Sequence, residues 1–227
     1  MARPVPTRIF HITPIANLAK ICSSGEICSK NKLIANGEAH ESIAYESIQT
    51  RRAAKIVAVA PGGKLHDYVP FYFAPRSPML DTISRGNLPN CPWQQQDIVH
   101  IQSTVEDVMA AGQDFVVYPM NAALDFSLEC HNNLAGLERV DWSLFFEAPT
   151  LDGYSKYYFS RPVPARHMQR MEKRQAEFLV HDRFALSAAK RVAVMSDAQQ
   201  SEVASILAQH GVQLPVEVQP NWYFLGQ

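Results

Sequence analysis

Four short groups of residues carry the chemistry open to this chain. His11-Ile12-Thr13 sets a ring nitrogen beside the start of a helix, where free N–H groups favour an anion. The plainer alternative is a half-buried histidine that caps local structure. Arg51-Arg52 could bind a diphosphate or act at a reacting centre, because a guanidinium stays charged and grips phosphate oxygens in pairs. Paired arginines also simply cover helix ends. The run Tyr68–Leu80, YVPFYFAPRSPML, places Tyr68, Phe71, Tyr72 and Phe73 beside Arg76 and Ser77. Aromatics next to an arginine suit stacked bases with a phosphate held nearby. A core strand entering a proline-rich turn explains Val69, Phe71 and Phe73 as well, but not Arg76-Ser77 between two prolines. In Met171–Val180, MEKRQAEFLV, a basic run ends in Glu177 at the lip of an apolar strand. A carboxylate facing a cleft there can stabilise positive charge developing in a substrate. The alternative is a solvent-facing glutamate at a strand edge.

Much other chemistry is excluded. The sequence contains no G-x-x-x-x-G-K-[ST], no G-x-G-x-x-G after a strand, no H-E-x-x-H and no G-x-S-x-G. Its four cysteines, Cys22, Cys28, Cys91 and Cys130, form no C-x-x-C pair and suggest neither a disulfide scaffold nor zinc. The scattered histidines and cysteines give no metal site. With 227 residues, 47% hydrophobic and 19% charged, the expectation is one globular domain over 1–227 with a sizeable core. No apolar run is long enough for a membrane and the start lacks an apolar signal core, so a cytoplasmic protein is expected.

The net charge of −1 is unevenly spread. Residues 1–96 hold 11 Lys/Arg against 6 Asp/Glu, residues 97–153 hold 1 against 10, and residues 161–191 hold 8 against 3. If the two basic segments fold together they make a positive face for phosphates; otherwise they are solvated helix faces and loops.

The elements that must position these groups read as a mixture of short strands and helices. Strands are expected at Arg8–Thr13, Tyr68–Phe73, Asp97–Gln102, Asp114–Tyr118, Gln175–Val180, Arg191–Met195, Val216–Gln219 and Trp222–Phe224. Pro70 marks Tyr68–Phe73 as an edge or bulged strand. Helices are expected from Ile15 to a stop at Gly25 behind a Thr13-Pro14 start, near Ser42–Ala54, from a Ser103 cap to Ala111, and over Asp197–His210. The long aromatic stretch to about Tyr158 resists assignment. Without a βαβ rhythm, the pattern argues for α+β.

Taken in order, the H-I-T near the N-terminus, I-Q-x-R-R, P-G-G-x-L-x-D-Y-V-P-F-Y-F-x-P-R-S-P-M-L and K-R-Q-A-E-F-L-V resemble the DarT family of DNA-modifying ADP-ribosyltransferase toxins. The resemblance spans roughly residues 8 to 224. It implies the ADP-ribosyltransferase fold, a split, mostly antiparallel sheet clasping NAD with helices around it. It implies cleavage of the nicotinamide–ribose bond of NAD as co-substrate, without a metal, and transfer of ADP-ribose to thymine N3 in single-stranded DNA. The implied partner is a DarG-like macrodomain antitoxin that removes the mark.

Residue by residue, the resemblance puts NAD contacts on His11, Ile12, Thr13, Leu33 and Arg52. It puts the catalytic arginine on Arg52 and the catalytic glutamate on Glu177. DNA contacts fall on Arg76, Ser77, Pro78, Met79, Leu80 and Asp81, and on Met171, Glu172, Lys173, Arg174 and Gln175. The loop leading to the glutamate covers roughly Asn121 to Ala176, where this sequence differs most from the family. Tyr72 and Tyr158 could stack on bases, and Arg166 and Arg170 could join the phosphate contacts. Two other readings are a transferase acting on guanine in DNA, on RNA or on protein, and a nucleic-acid-binding relative without activity. Intact His11, Arg52 and Glu177 speak against the last.

Overall fold

The computed structural model describes residues 1–89, 91–158 and 168–225. The chain opens with strand β1 (Arg8–Pro14), a 3-10 turn and helix α1 (Leu18–Ser24), which ends at Gly25 with φ 71°. That left-handed conformation favours glycine, as the sequence anticipated. The start of the helix differs from expectation. Thr13 remains in the strand and its hydroxyl accepts from Asn17 Nδ2 (3.1 Å) instead of capping.

Next come β2 (Glu26–Cys28), α2 (Lys30–Ala35) and α3 (Glu46–Ala54). They are followed by β3 (Tyr68–Tyr72), α4 (Pro78–Ser84), β4 (Ile98–Thr104) and α5 (Val105–Ala110). The middle of the chain holds β5 (Phe115–Tyr118), α6 (Ala135–Glu138), β6 (Thr150–Leu151) and β7 (Tyr154–Ser155). The remainder is α7 (Arg170–Lys173), β8 (Glu177–His181), β9 (Arg183–Ala185), β10 (Arg191–Val194), α8 (Asp197–Gln209) and β11 (Val216–Val218). Side-chain caps start the short helices: Ser29 accepts from Lys32 N, Ser77 from Leu80 N, and Thr104 from Asp107 N. Ser103, the expected cap of α5, instead donates to Ala188 O across the fold (2.6 Å).

Seven strands form one sheet in the order β11-β10-β4-β1-β3-β8-β5, antiparallel throughout except for the β10–β11 pair. The β1–β4 ladder runs over seven residue pairs, from Arg8↔Thr104 to Pro14↔Ile98. By contrast β1 and β3 pair only at Phe10↔Tyr72. The sheet therefore splits between these two strands, the mostly antiparallel, divided α+β architecture anticipated above. The edge position expected for β3 is corrected: it lies inside the sheet, between β1 and β8. Pro70 is tolerated there because its carbonyl, and so its imino nitrogen, faces the split toward His11, where no ladder exists to interrupt.

The segment that resisted assignment supplies part of the core. Trp142, Phe145 and Tyr154 are buried, and Phe73 meets Trp142 edge to face at 5.1 Å between ring centres. At the C-terminal end the expected strand Trp222–Phe224 is a 3-10 turn followed by Tyr223. The Tyr223 hydroxyl donates to Ile98 O (2.8 Å) and fastens the tail under β4.

Candidate active site

Glu177 begins β8, next to the edge strand β5, paired with Tyr72 of β3 on one side and Tyr118 of β5 on the other. Its side chain is almost wholly buried. Oε2 accepts from Arg52 Nη1 (2.9 Å) and Oε1 from the backbone N–H of Ala122 (2.9 Å). A buried carboxylate needs such partners, and here a cation and an amide fix its plane. Asn121 sets that amide: its Oδ1 accepts from Ala123 N (2.9 Å) and its Nδ2 donates to Gln175 Oε1 (2.5 Å).

Arg52 reaches the carboxylate from the last turn of α3. Burial alone would lower its pKa, but the Glu177 carboxylate more than reverses this and holds the guanidinium above its ordinary value. It stays charged. Arg51, one residue away, points to solvent.

His11 lies on β1 at the split. Its Nδ1 is 2.9 Å from Pro70 O, so Nδ1 carries the hydrogen and donates, and Nε2 is left as an acceptor. Burial lowers its pKa against the opposing pull of that carbonyl, which favours the neutral ring. Phe71 supports the ring at 5.6 Å. His11, Ile12, Thr13, Leu33 and Arg52 all border one cleft of about 260 Å³, together with Tyr72 and Met79. The cleft opens at the divided part of the sheet. Glu177 stands behind Arg52 and Tyr72.

The residues expected to touch DNA are dispersed by the fold. Arg76 is 3% exposed, and its guanidinium donates to Asn221 O and Ser155 O, both at 2.9 Å. Burial pushes its pKa down to about 10. Ser77 is buried as the cap of α4, and Leu80 belongs to the core. Pro78 and Asp81 are half-buried, with Asp81 paired to Arg85 (3.0 Å), and Met79 faces the cleft. Around α7, Met171 is exposed and Glu172 and Lys173 are half-buried. Arg174 turns inward, with its guanidinium 4.8 Å from the centre of the Phe145 ring and burial pushing its pKa down to about 9. Gln175 is also inside, its amide shared between Asn121 Nδ2 and Met171 O. Tyr158 is buried, and Arg170 pairs with Glu147. Arg166 lies outside the described residues.

Sequence reasoning missed Ala122 and Asn121, because a backbone amide carries no residue-type signal. It also missed His66 and Lys30, which border the same cleft. Among the described residues no group of three His, Cys, Asp or Glu side chains is placed to hold a metal ion. Among them, too, no helix is long and apolar enough to cross a membrane.

Comparison with known proteins extends these observations over the whole chain. Residues 10–224 match the family described as "DarT: ssDNA thymidine ADP-ribosyltransferase, DarT". A DNA ADP-ribosyl transferase of Thermus aquaticus is 35% identical over 99% of this chain and 92% of its own length. One from Escherichia coli O127:H6 is 29% identical over 97% of this chain and 95% of its own. The structure of Thermus sp. 2.9 DarT in complex with ADP-ribosylated ssDNA superposes with a TM-score of 0.85, at 34% identity and 99% coverage of both chains. The same protein in complex with NAD+ gives 0.81 at 31% identity, covering 98% of this chain and 100% of that one.

Proposed function

This chain belongs to the DarT family and is an NAD-dependent DNA ADP-ribosyltransferase; we propose that it attaches ADP-ribose to thymine N3 in single-stranded DNA, as the toxin of a toxin–antitoxin pair. The observation that carries the site assignment is the buried Arg52–Glu177 pair, 2.9 Å apart, at a cleft bordered by His11.

The cleft fits a dinucleotide in its chemistry. It combines apolar walls with buried nitrogens of Arg52 and His66 that have no partner among the described residues. NAD supplies an ADP-ribosyl group whose bond to nicotinamide already carries positive charge. Glu177 is assigned to that ribose: its fixed carboxylate stabilises the cation that develops as nicotinamide leaves, and can hold a ribose hydroxyl. His11, neutral and with Nε2 free of Pro70, accepts a hydrogen bond from the nucleotide. Ile12, Thr13 and Leu33 shape the wall on which it lies.

Arg52 takes the electrostatic role. Thymine N3 must lose a proton, and a guanidinium held above its ordinary pKa is a poor acceptor. It instead lowers the cost of the N3 anion and of the phosphate charge beside it. DNA reaches the site over Met79, which borders the cleft, the exposed Met171 and the half-buried Lys173, whose ammonium suits a phosphate. In single-stranded DNA the base is already unpaired, so no flipping cost arises.

The whole chain acts as one transferase domain. The proposed partner is a macrodomain antitoxin that removes the mark, as the resemblance to the family implies. A cytoplasmic location follows from these substrates.

The test is nicotinamide release from NAD with oligonucleotides that differ only in carrying thymidine, guanosine or neither, with mass mapping of the product. Modification confined to thymidine strands supports the reading. Modification of guanine, RNA or protein, or none at all, rejects it.

A further inference from the structure

Two buried nitrogens at the cleft, Arg52 Nη2 and His66 Nε2, have no hydrogen-bond partner among the described residues. Arg52 is 9% and His66 8% exposed, and both border the cleft together with Lys30. Buried polar nitrogens are rarely left unpaired, because burial strips their water without supplying a partner.

Glu26, Glu38 and Glu41 also border the cleft, but among the described residues no carboxylate is hydrogen-bonded to either nitrogen. Glu177 is taken by Arg52 Nη1 and the Ala122 amide. Asp67, next to His66, has Oδ1 bonded to Asn31 Nδ2 (2.6 Å) and Oδ2 to Lys64 N (2.7 Å). After burial, the charges that most depress the basicity of His66 are Arg52 and Lys30, and all three residues border the same cleft. Lys30 Nζ lies 3.0 Å from His40 Nε2 and so is held at the cleft wall. Buried nitrogens left unpaired at one cleft, beside a lysine on the same wall, suit the oxygens of a phosphate.

We propose that His66, with Arg52 and Lys30, forms a phosphate subsite in this cleft and grips the diphosphate of NAD. His66 falls between the motif residues Leu65 and Asp67 and is not one of those that carry the family resemblance. The proposal rests on the reading of the cleft as the NAD site. A DNA phosphate has the same chemistry, but the subsite shares its walls with His11, Thr13 and Leu33, which favours the dinucleotide.

The experiment is calorimetric titration of NAD, and separately of a thymidine oligonucleotide, into the full chain and its His66→Ala and His66→Gln variants at low and high salt. His66→Ala should weaken NAD by about tenfold at low salt and by less at high salt. His66→Gln, which keeps a donor, should recover part of the loss, and oligonucleotide affinity should not change. Thermal unfolding of each variant confirms that it is folded at the titration temperature. Unchanged NAD affinity in both variants overturns the proposal, as does a loss confined to the oligonucleotide, which would give the phosphate to DNA. Failure of the wild-type chain to bind NAD would instead overturn the reading of the cleft.

Discussion

Both oxygens of Glu177 are engaged, Oε2 by Arg52 and Oε1 by the Ala122 amide. Glutamine keeps the shape but removes the charge and one of the two acceptors, so it tests the carboxylate as a whole. Glu177→Gln should lower the single-turnover rate of ADP-ribose transfer by about 10²–10³-fold, while NAD affinity stays within a few-fold. A fall of less than about tenfold would remove Glu177 from the reacting centre. The two nitrogens of His11 separate two roles. Nδ1 bolts β1 to β3 through Pro70 O, and Nε2 is left as the acceptor assigned to NAD in the proposed site. His11→Ala should raise the Kd for NAD by about tenfold, the usual cost of one lost hydrogen bond to a charged or polar ligand. If the variant loses only thermal stability and binds NAD as before, the bolt is its whole role.

At the scale of elements, Arg76 joins three parts of the chain. It leaves the turn before α4 and donates to Ser155 O of β7 and to Asn221 O in the C-terminal 3-10 turn. Arg76→Ala would leave the buried Ser155 carbonyl unpaired, remove the bond to Asn221 O and empty the space of a buried guanidinium, at a cost of about 3 kcal/mol. For a chain of this length that is a fall in Tm of about 6–12 °C. At a temperature where the variant is folded, oligonucleotide affinity and its salt dependence should match wild type. A shallower salt dependence with an unchanged Tm would restore Arg76 to the DNA surface. Other element boundaries were written locally. Gly25 ends α1, and Gly211 follows α8 with φ 68°, each a left-handed position that a side chain would oppose.

For the molecule as a whole, acid should be the weak side. His100 of β4 is 0% exposed and bonds Pro75 O through Nε2 (3.0 Å), and burial pushes its pKa down to about 4. The unfolded chain takes up a proton near the ordinary value of about 6.5, whereas the folded chain resists until about pH 4. The stability from the neutral ring is thus complete above about pH 6.5 and declines as the pH falls toward 4, by up to about 3 kcal/mol. His11, also lowered by burial, adds in the same direction. Tm measured from pH 7.5 to 4 should fall steeply for wild type and less for His100→Gln, which retains a donor for Pro75 O. A flat wild-type profile over that range would sink the argument.

What the sequence determined by itself is of one kind: properties set within a few residues, and motifs whose order along the chain is a signature. The helix stop at Gly25, strands β4 and β5 and helix α8 were all legible in this way. Only the tertiary structure decided properties that depend on distant partners. Pro70 suggested an edge, yet β3 is interior, because the nitrogen that proline cannot offer faces a split that β1 creates. Arg76 between two prolines suggested an exposed contact, yet carbonyls 79 and 145 residues away draw it inside. The pairing of Arg52 with Glu177 crosses 125 residues, and His66 gains a role only because α2 and α3 bring Lys30 and Arg52 beside it. Periodicity and capping act over one or two turns of chain, whereas burial, ion pairing and strand order are fixed by which surfaces meet when the chain closes.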